Sequence, residues 1–180
     1  MIGEKHFKAI RRICVVLFVV YIIVMAVLLF FLDIRFQLME QYRLVFYNLV
    51  PFREIRRCIA YADTLGTFYV VSNLCGNILL FVPFGILCPE LFRKFRRGGW
   101  TVLAGVCMTA GVELLQFLTG LGCFDIDDII LNTAGALIGF LVFKRIYRAS
   151  CRYIRKKNAD YRMMMQAQTA PAADYSMKHS

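Results

Sequence analysis

Residues 13–32 read ICVVLFVVYIIVMAVLLFFL, twenty positions without a charged side chain. At about 1.5 Å per residue, a helix of that length crosses a hydrocarbon core about 30 Å thick. The stretch is therefore read as a transmembrane helix. The basic KHFKAIRR in front of it imitates the n-region of a secretory signal. The apolar run is too long for one, however, and DIRFQ behind it offers no small-x-small cleavage site, so the segment is expected to stay attached.

The rest of the chain agrees with that first stretch. Of its 180 residues, 59% are hydrophobic and 19% charged, with a mean hydropathy of +0.60. Soluble domains average about 45–50% apolar and about 25% charged, so a disordered chain is excluded and an ordinary soluble domain is disfavoured. The net charge of +10 raises the question of nucleic acid. No recognition motif accompanies it, and none is expected as a partner. The seven cysteines are odd in number and none is spaced C-x-x-C, so they read as small apolar residues. No disulfide framework, metal or cofactor is expected.

Three further apolar runs follow: 67–91, holding Asn73, Asn77 and a Pro83 that should kink it; 99–121, with a single acid, Glu113; and 129–143, short unless its helix begins within the acidic loop before it. The expected fold is an all-α integral membrane protein, a bundle of four transmembrane helices at about 13–32, 67–91, 99–121 and 129–147, together a membrane domain 13–147. A cytoplasmic N-terminus, 1–12, precedes it and a basic, partly disordered cytoplasmic tail, 148–180, follows. Charge between the spans sets the orientation. Lys and Arg number 4 before residue 13, 5 in 33–66, 4 in FRKFRR, none in GLGCFDIDD and 9 after Phe143. Placing both termini inside puts 17 of the 22 in the cytoplasm, as the positive-inside rule requires. The expected location is a bacterial cytoplasmic membrane, with the lipid bilayer as partner.

Two loops then face outward. In 33–66, LVFYNLVPFREIRRCIAYAD is too apolar for open water and is expected to lie on the membrane surface or fold back over the helices. The other carries Asp125, Asp127 and Asp128. KRIYRASCRYIRKK, 144–157, is expected to extend the last helix and to be drawn to an anionic leaflet. QAQTAPAADYSMKHS, 166–180, has no apolar periodicity and is expected to be disordered.

Polar residues inside spans need a reason, because an unpaired polar group in hydrocarbon costs several kcal/mol. Counting from the outer helix ends at about 1.5 Å per residue, Asn73 and Asn77 lie about 9 and 15 Å deep, Gln116 and Glu113 about 8 and 12 Å, and Asn132 about 5 Å. All five fall in the outer half. Asn73 and Asn77 are spaced i, i+4, and Glu113 and Gln116 i, i+3, on a stripe that includes Thr109. Asn132, Gly135 and Gly139 share a face, and the two glycines permit close helix approach. A polar cluster open to the outside follows; simple bonding between helices would explain the asparagines equally well. In Asp125-x-Asp127-Asp128, one acid, Asp127 or Asp128, is expected to cap the fourth helix. The remaining acids are available to a cation, a cationic ligand group, or Arg53, Arg56 and Arg57.

The blocks NLVPFREI, SNLCGNILLFVPFGIL, GVELLQ and FDIDDIILNTAGALIG, in that order over 48–139, resemble the VanZ-like family of small bacterial membrane proteins. The resemblance implies that Asn48, Pro51, Phe52, Asn73, Asn77, Pro83 and Gly85 occupy motif positions, as do Glu113, Gln116, Asp125, Asp127, Asp128, Asn132 and Gly135. TGLGCF lacks the arginine that many members carry just before FDIDD. The family is named for an accessory protein associated with low-level resistance to teicoplanin-type glycopeptides. The leading expectation is a non-enzymatic envelope protein in which Glu113, Gln116, Asp125, Asp127, Asp128, Asn132, Asn73, Asn77 and Arg53 bind a cell-wall precursor, lipid headgroup or glycopeptide. The alternatives are a metal-dependent membrane enzyme acting on lipid or cell-wall precursor phosphates, with Glu113 and the aspartates holding the ion, and a small transporter or scaffold. The sequence does not set the oligomeric state.

Overall fold

A computed structural model describes residues 4–39, 47–119 and 123–169. Its elements in order are helix α1 (Glu4–Met39), strand β1 (Tyr47–Asn48), helices α2 (Arg53–Ala60), α3 (Ala62–Leu65) and α4 (Thr67–Leu91), a 3₁₀ turn (Arg93–Arg96), α5 (Gly98–Thr119), strand β2 (Phe124–Asp125) and α6 (Ile126–Thr169). Four helices are long and apolar enough to cross a membrane, through Ala9–Leu28, Val70–Leu91, Gly98–Thr119 and Ile126–Gln166. The fourth begins at Ile126, inside the acidic loop, so Asp127 and Asp128 stand in its first turn. α4 is continuous from Thr67 to Leu91 through Pro83 and Pro89. Residues 166–169, in the stretch expected to be disordered, belong to α6; the remainder of that stretch lies outside the described residues. The chain divides into two compact units, Met1–Phe143 and Lys144–Ser180.

Within the first unit a small apolar core joins the helices. Met25 of α1 meets Phe81, Phe84 and Cys88 of α4 and Ala136 of α6, with Phe18, Ile22, Ala104 and Met108 packed around them. Tyr21 ties α1 to α4 by donating its hydroxyl to the Leu80 carbonyl, 3.0 Å away. The closest approach is between α4 and α6. A Cβ at Gly135 would stand 2.1 Å from the Ile78 carbonyl oxygen, one at Gly139 2.1 Å from that of Val82, and one at Gly85 2.1 Å from that of Ala136. The glycine pair on α6 thus admits the backbone of α4, with Gly85 answering from the other side.

The distribution of side chains is the reverse of a soluble bundle. Leu79, Leu103, Leu114, Leu118, Leu137 and Leu141 are exposed, while Thr101, Thr109, Glu113, Gln116 and Asn132 are buried. Continuous apolar surface of this extent is stable against acyl chains rather than water, and polar groups turned inward find partners that hydrocarbon cannot supply.

The expectation of an all-α chain omitted one detail. β1 and β2 form a two-residue parallel ladder, with Tyr47 opposite Phe124 and Asn48 opposite Asp125. It fastens the segment before α2 to the start of α6, so this part of the first loop folds back over the helices.

Candidate functional site: a hydrogen-bonded acidic cluster at the start of α6

α4 and α6 begin, and α5 ends, at one end of the bundle, which brings Asn77 of α4, Glu113 of α5 and the first-turn aspartates of α6 together. Each acid there has a different donor. Asp125 directly precedes α6 and accepts the Asp127 N–H through Oδ1 at 2.8 Å, which makes it the N-cap of that helix. The same oxygen accepts Asn48 Nδ2 at 3.0 Å, and Asn48 Oδ1 receives the Val50 N–H at 3.3 Å. Burial pushes the Asp125 carboxyl above its ordinary value of 3.8; the hydrogen bonds from Asp127 and Asn48 oppose that rise, and the neighbouring charges of Asp127 and Glu54 add to it.

The cap of α6 was expected from Asp127 or Asp128, but Asp125 supplies it, and Asp127 caps α2 instead. Its carboxylate, 1% exposed, accepts the backbone N–H groups of Phe52, of Glu54 at 2.8 Å and of Ile55 at 3.2 Å. These are donors that the first turn of a helix cannot satisfy internally, and the negative charge lies at the positive end of the α2 dipole. Phe52 adopts φ 64°, ψ 13°, a left-handed conformation that aromatic residues use sparingly. The hydrogen bond from its N–H to Asp127 holds it there.

Asp128, one residue on, accepts Asn77 Nδ2 of α4 at 2.5 Å. From α5, Glu113, 3% exposed, accepts the Asp125 N–H through Oε2 at 2.9 Å. One turn deeper Asn132 donates Nδ2 to Thr109 Oγ1 at 2.8 Å. Glu113 over Thr109 therefore faces the start of α6 over Asn132, two rungs of a polar ladder between α5 and α6. Asn132 Oδ1 and Thr133 Oγ1 are buried with no hydrogen-bond partner among the described residues.

The structure thus draws Glu113, Asp125, Asp127, Asp128 and Asn77 around the first turn of α6, with Asn132 below them. Gln116 is buried one turn nearer the end of α5. Asn73 turns elsewhere, its Nδ2 3.8 Å from Cys58 Sγ of α2. Arg53 is exposed in the first turn of α2, and Arg57 pairs with Glu54 of its own helix at 2.9 Å. Among the described residues no three His, Cys, Asp or Glu side chains converge where a metal ion could be held. The aspartates point at separate amide donors.

The network also includes residues beyond those expected to bind a ligand, among them Thr109, the acceptor of Asn132. Asn48 appeared only as a motif position, yet it bridges the loop to Asp125. Cys58 of α2, a free cysteine 1% exposed, turns inward against Asn73, in keeping with the reading of the cysteines as small apolar residues but at a position that reading does not single out. The helical phase of α2, which turns Cys58 to the same side as Ile55, was the available signal.

A model of the VanZ/LLP1 family matches residues 18–148, a span that contains every residue of the cluster. Protein VanZ of Enterococcus faecium is 29% identical over 89 residues, covering 49% of this chain and 52% of that protein. The chain therefore spans about half the length of the curated relative it matches. No solved structure matches it. With the family model covering the greater part of its length, including all of α4 and α5 and the acidic turn before α6, the chain belongs to the VanZ/LLP1 family.

Proposed function

We propose that this VanZ-like protein resides in a bacterial cytoplasmic membrane with both termini cytoplasmic, and that it reduces susceptibility to glycopeptide antibiotics of the teicoplanin type without itself being an enzyme. In this reading the end of the bundle holding Glu113 and the aspartates faces outward and takes up an envelope component (a cell-wall precursor or lipid headgroup) or the glycopeptide itself. The 17 Lys and Arg assigned to the cytoplasmic side support the orientation. Kinship with VanZ supports the link to resistance.

The observation that carries the binding proposal is Asn132. It is 2% exposed, one turn inside the acidic cluster, and its Oδ1 meets no donor among the described residues, as is true of Thr133 Oγ1 beside it. A buried acceptor left unmet costs about 1–3 kcal/mol, so a ligand bringing amide, hydroxyl or ammonium donors gains by supplying it. Peptide and sugar groups of wall precursors and glycopeptides are rich in such donors. Expression in a susceptible host, with membrane levels verified, is expected to raise the inhibitory concentration of teicoplanin, and Glu113→Gln expressed to the same level is expected to lose that gain. Unchanged susceptibility with the wild-type chain present in the membrane would refute the proposal.

A further inference from the structure

We propose that the helical part of the second unit is a clamp for the phosphate headgroups of anionic phospholipids. Between residues 144 and 166, eight Lys and Arg stand against the single acid Asp160, all on α6. At about 100° per residue, Lys144, Arg148, Arg152, Arg155, Lys156 and Arg162 fall within one sector of about 120°. Ile146, Tyr153, Ile154, Tyr161 and Met164 fall on the opposite side, and all five are exposed. Arg148, Arg152 and Arg155 line one concave patch with Tyr147 and Cys151.

Charge complementarity and the opposite face select the occupant. Guanidinium forks spaced i, i+4, i+7 suit the bidentate geometry of phosphate oxygens. An anionic phospholipid offers phosphate to that face and acyl chain to the Ile, Tyr and Met face at the same boundary, where Tyr side chains are favoured. A nucleic acid would satisfy only the basic side, and a second copy would bring like charge. Lys157 lies on the apolar side, where its stem can cover the surface and its ammonium reach the headgroups.

The test uses the full-length chain, which has one tryptophan, Trp100. Trp100→Phe with Tyr153→Trp places the sole reporter on the apolar side of the segment. The protein is reconstituted in phosphatidylcholine vesicles and in phosphatidylcholine–phosphatidylglycerol vesicles, each with brominated acyl chains. With phosphatidylglycerol the reporter is expected to shift to shorter wavelength and to be quenched several-fold more. High salt or the triple variant Arg148→Gln, Arg152→Gln, Arg155→Gln should abolish the difference, and Arg152→Gln alone should reduce it. Trp100 emission in the same variants, with that residue retained, verifies that the spans are folded. Equal quenching in the two vesicle types, or indifference to the triple variant, overturns the proposal. So does a response to a short RNA in phosphatidylcholine vesicles as large as that to phosphatidylglycerol, or quenching that follows the protein-to-lipid ratio instead of lipid charge.

Discussion

At the scale of single residues, the three aspartates of one short motif do three separate tasks, and each task gives its own expectation. Asp127 serves backbone N–H groups of α2, so Asp127→Ala should cost about 1–2 kcal/mol, within the range for a lost cap. Faster hydrogen exchange at the Glu54 and Ile55 amides would register it, and Asp127→Asn, which keeps an acceptor, should lose less. Exchange unchanged in the alanine variant would mean that α2 does not depend on this carboxylate. Asp125 supplies a pH dependence of known sign. Its carboxyl is raised above its ordinary value, mainly by burial. As pH falls through the raised value, the folded protein takes up the proton before the unfolded chain does. This group therefore adds stability on acidification and withdraws it as pH rises. Asp125→Asn retains an oxygen for Asp127 N–H and Asn48, so its melting temperature should exceed that of the wild type near neutrality, with the gap closing toward acid pH. A gap independent of pH would contradict this account.

At the scale of elements, the contact between α4 and α6 is governed by three residues without side chains. Gly139→Ala would bring a methyl carbon against the Val82 carbonyl and force the helices apart, and Gly135→Ala would do the same at Ile78. Overpacking of that kind costs about 1–3 kcal/mol, more where backbone cannot yield. Gly76→Ala and Gly111→Ala are the controls: nothing lies within 4 Å of a Cβ at either position, and both should be tolerated. Monodispersity and melting temperature in detergent distinguish the two pairs. One side of the polar ladder was legible at this scale because Glu113 and Thr109 stand four residues apart on α5, and hydropathy alone marked the long helices; the bond from Asn132 of α6 to Thr109 crosses between helices, where no periodicity points to it. The capping of α2 was not legible. Helical periodicity relates residues three or four apart, whereas Asp127 and the Phe52 amide are separated by 75 positions. Asp127 also carries the outward signs of a first-turn acid of α6, which conceals its service to a second helix.

For the whole molecule, the inverted placement of polar and apolar side chains agrees with the family assignment, and topology is the property to measure. Reporter fusions at residue 180 and in the loop after Phe92 should be cytoplasmic, and one within residues 47–66 external. An external C-terminus would place the acidic cluster on the cytoplasmic side. The long reach of Asp127 also dictates an order of assembly. When α2 leaves the ribosome, the carboxylate that caps it has not been synthesised, nor has Asp125, to which Asn48 is fastened. Until α6 is translated, the first-turn amides of α2 can be served only by water. Residues 47–60 therefore lack their ladder and their cap until the start of α6 arrives, and a chain stalled before Asp125 should leave them more open to protease than the full chain does.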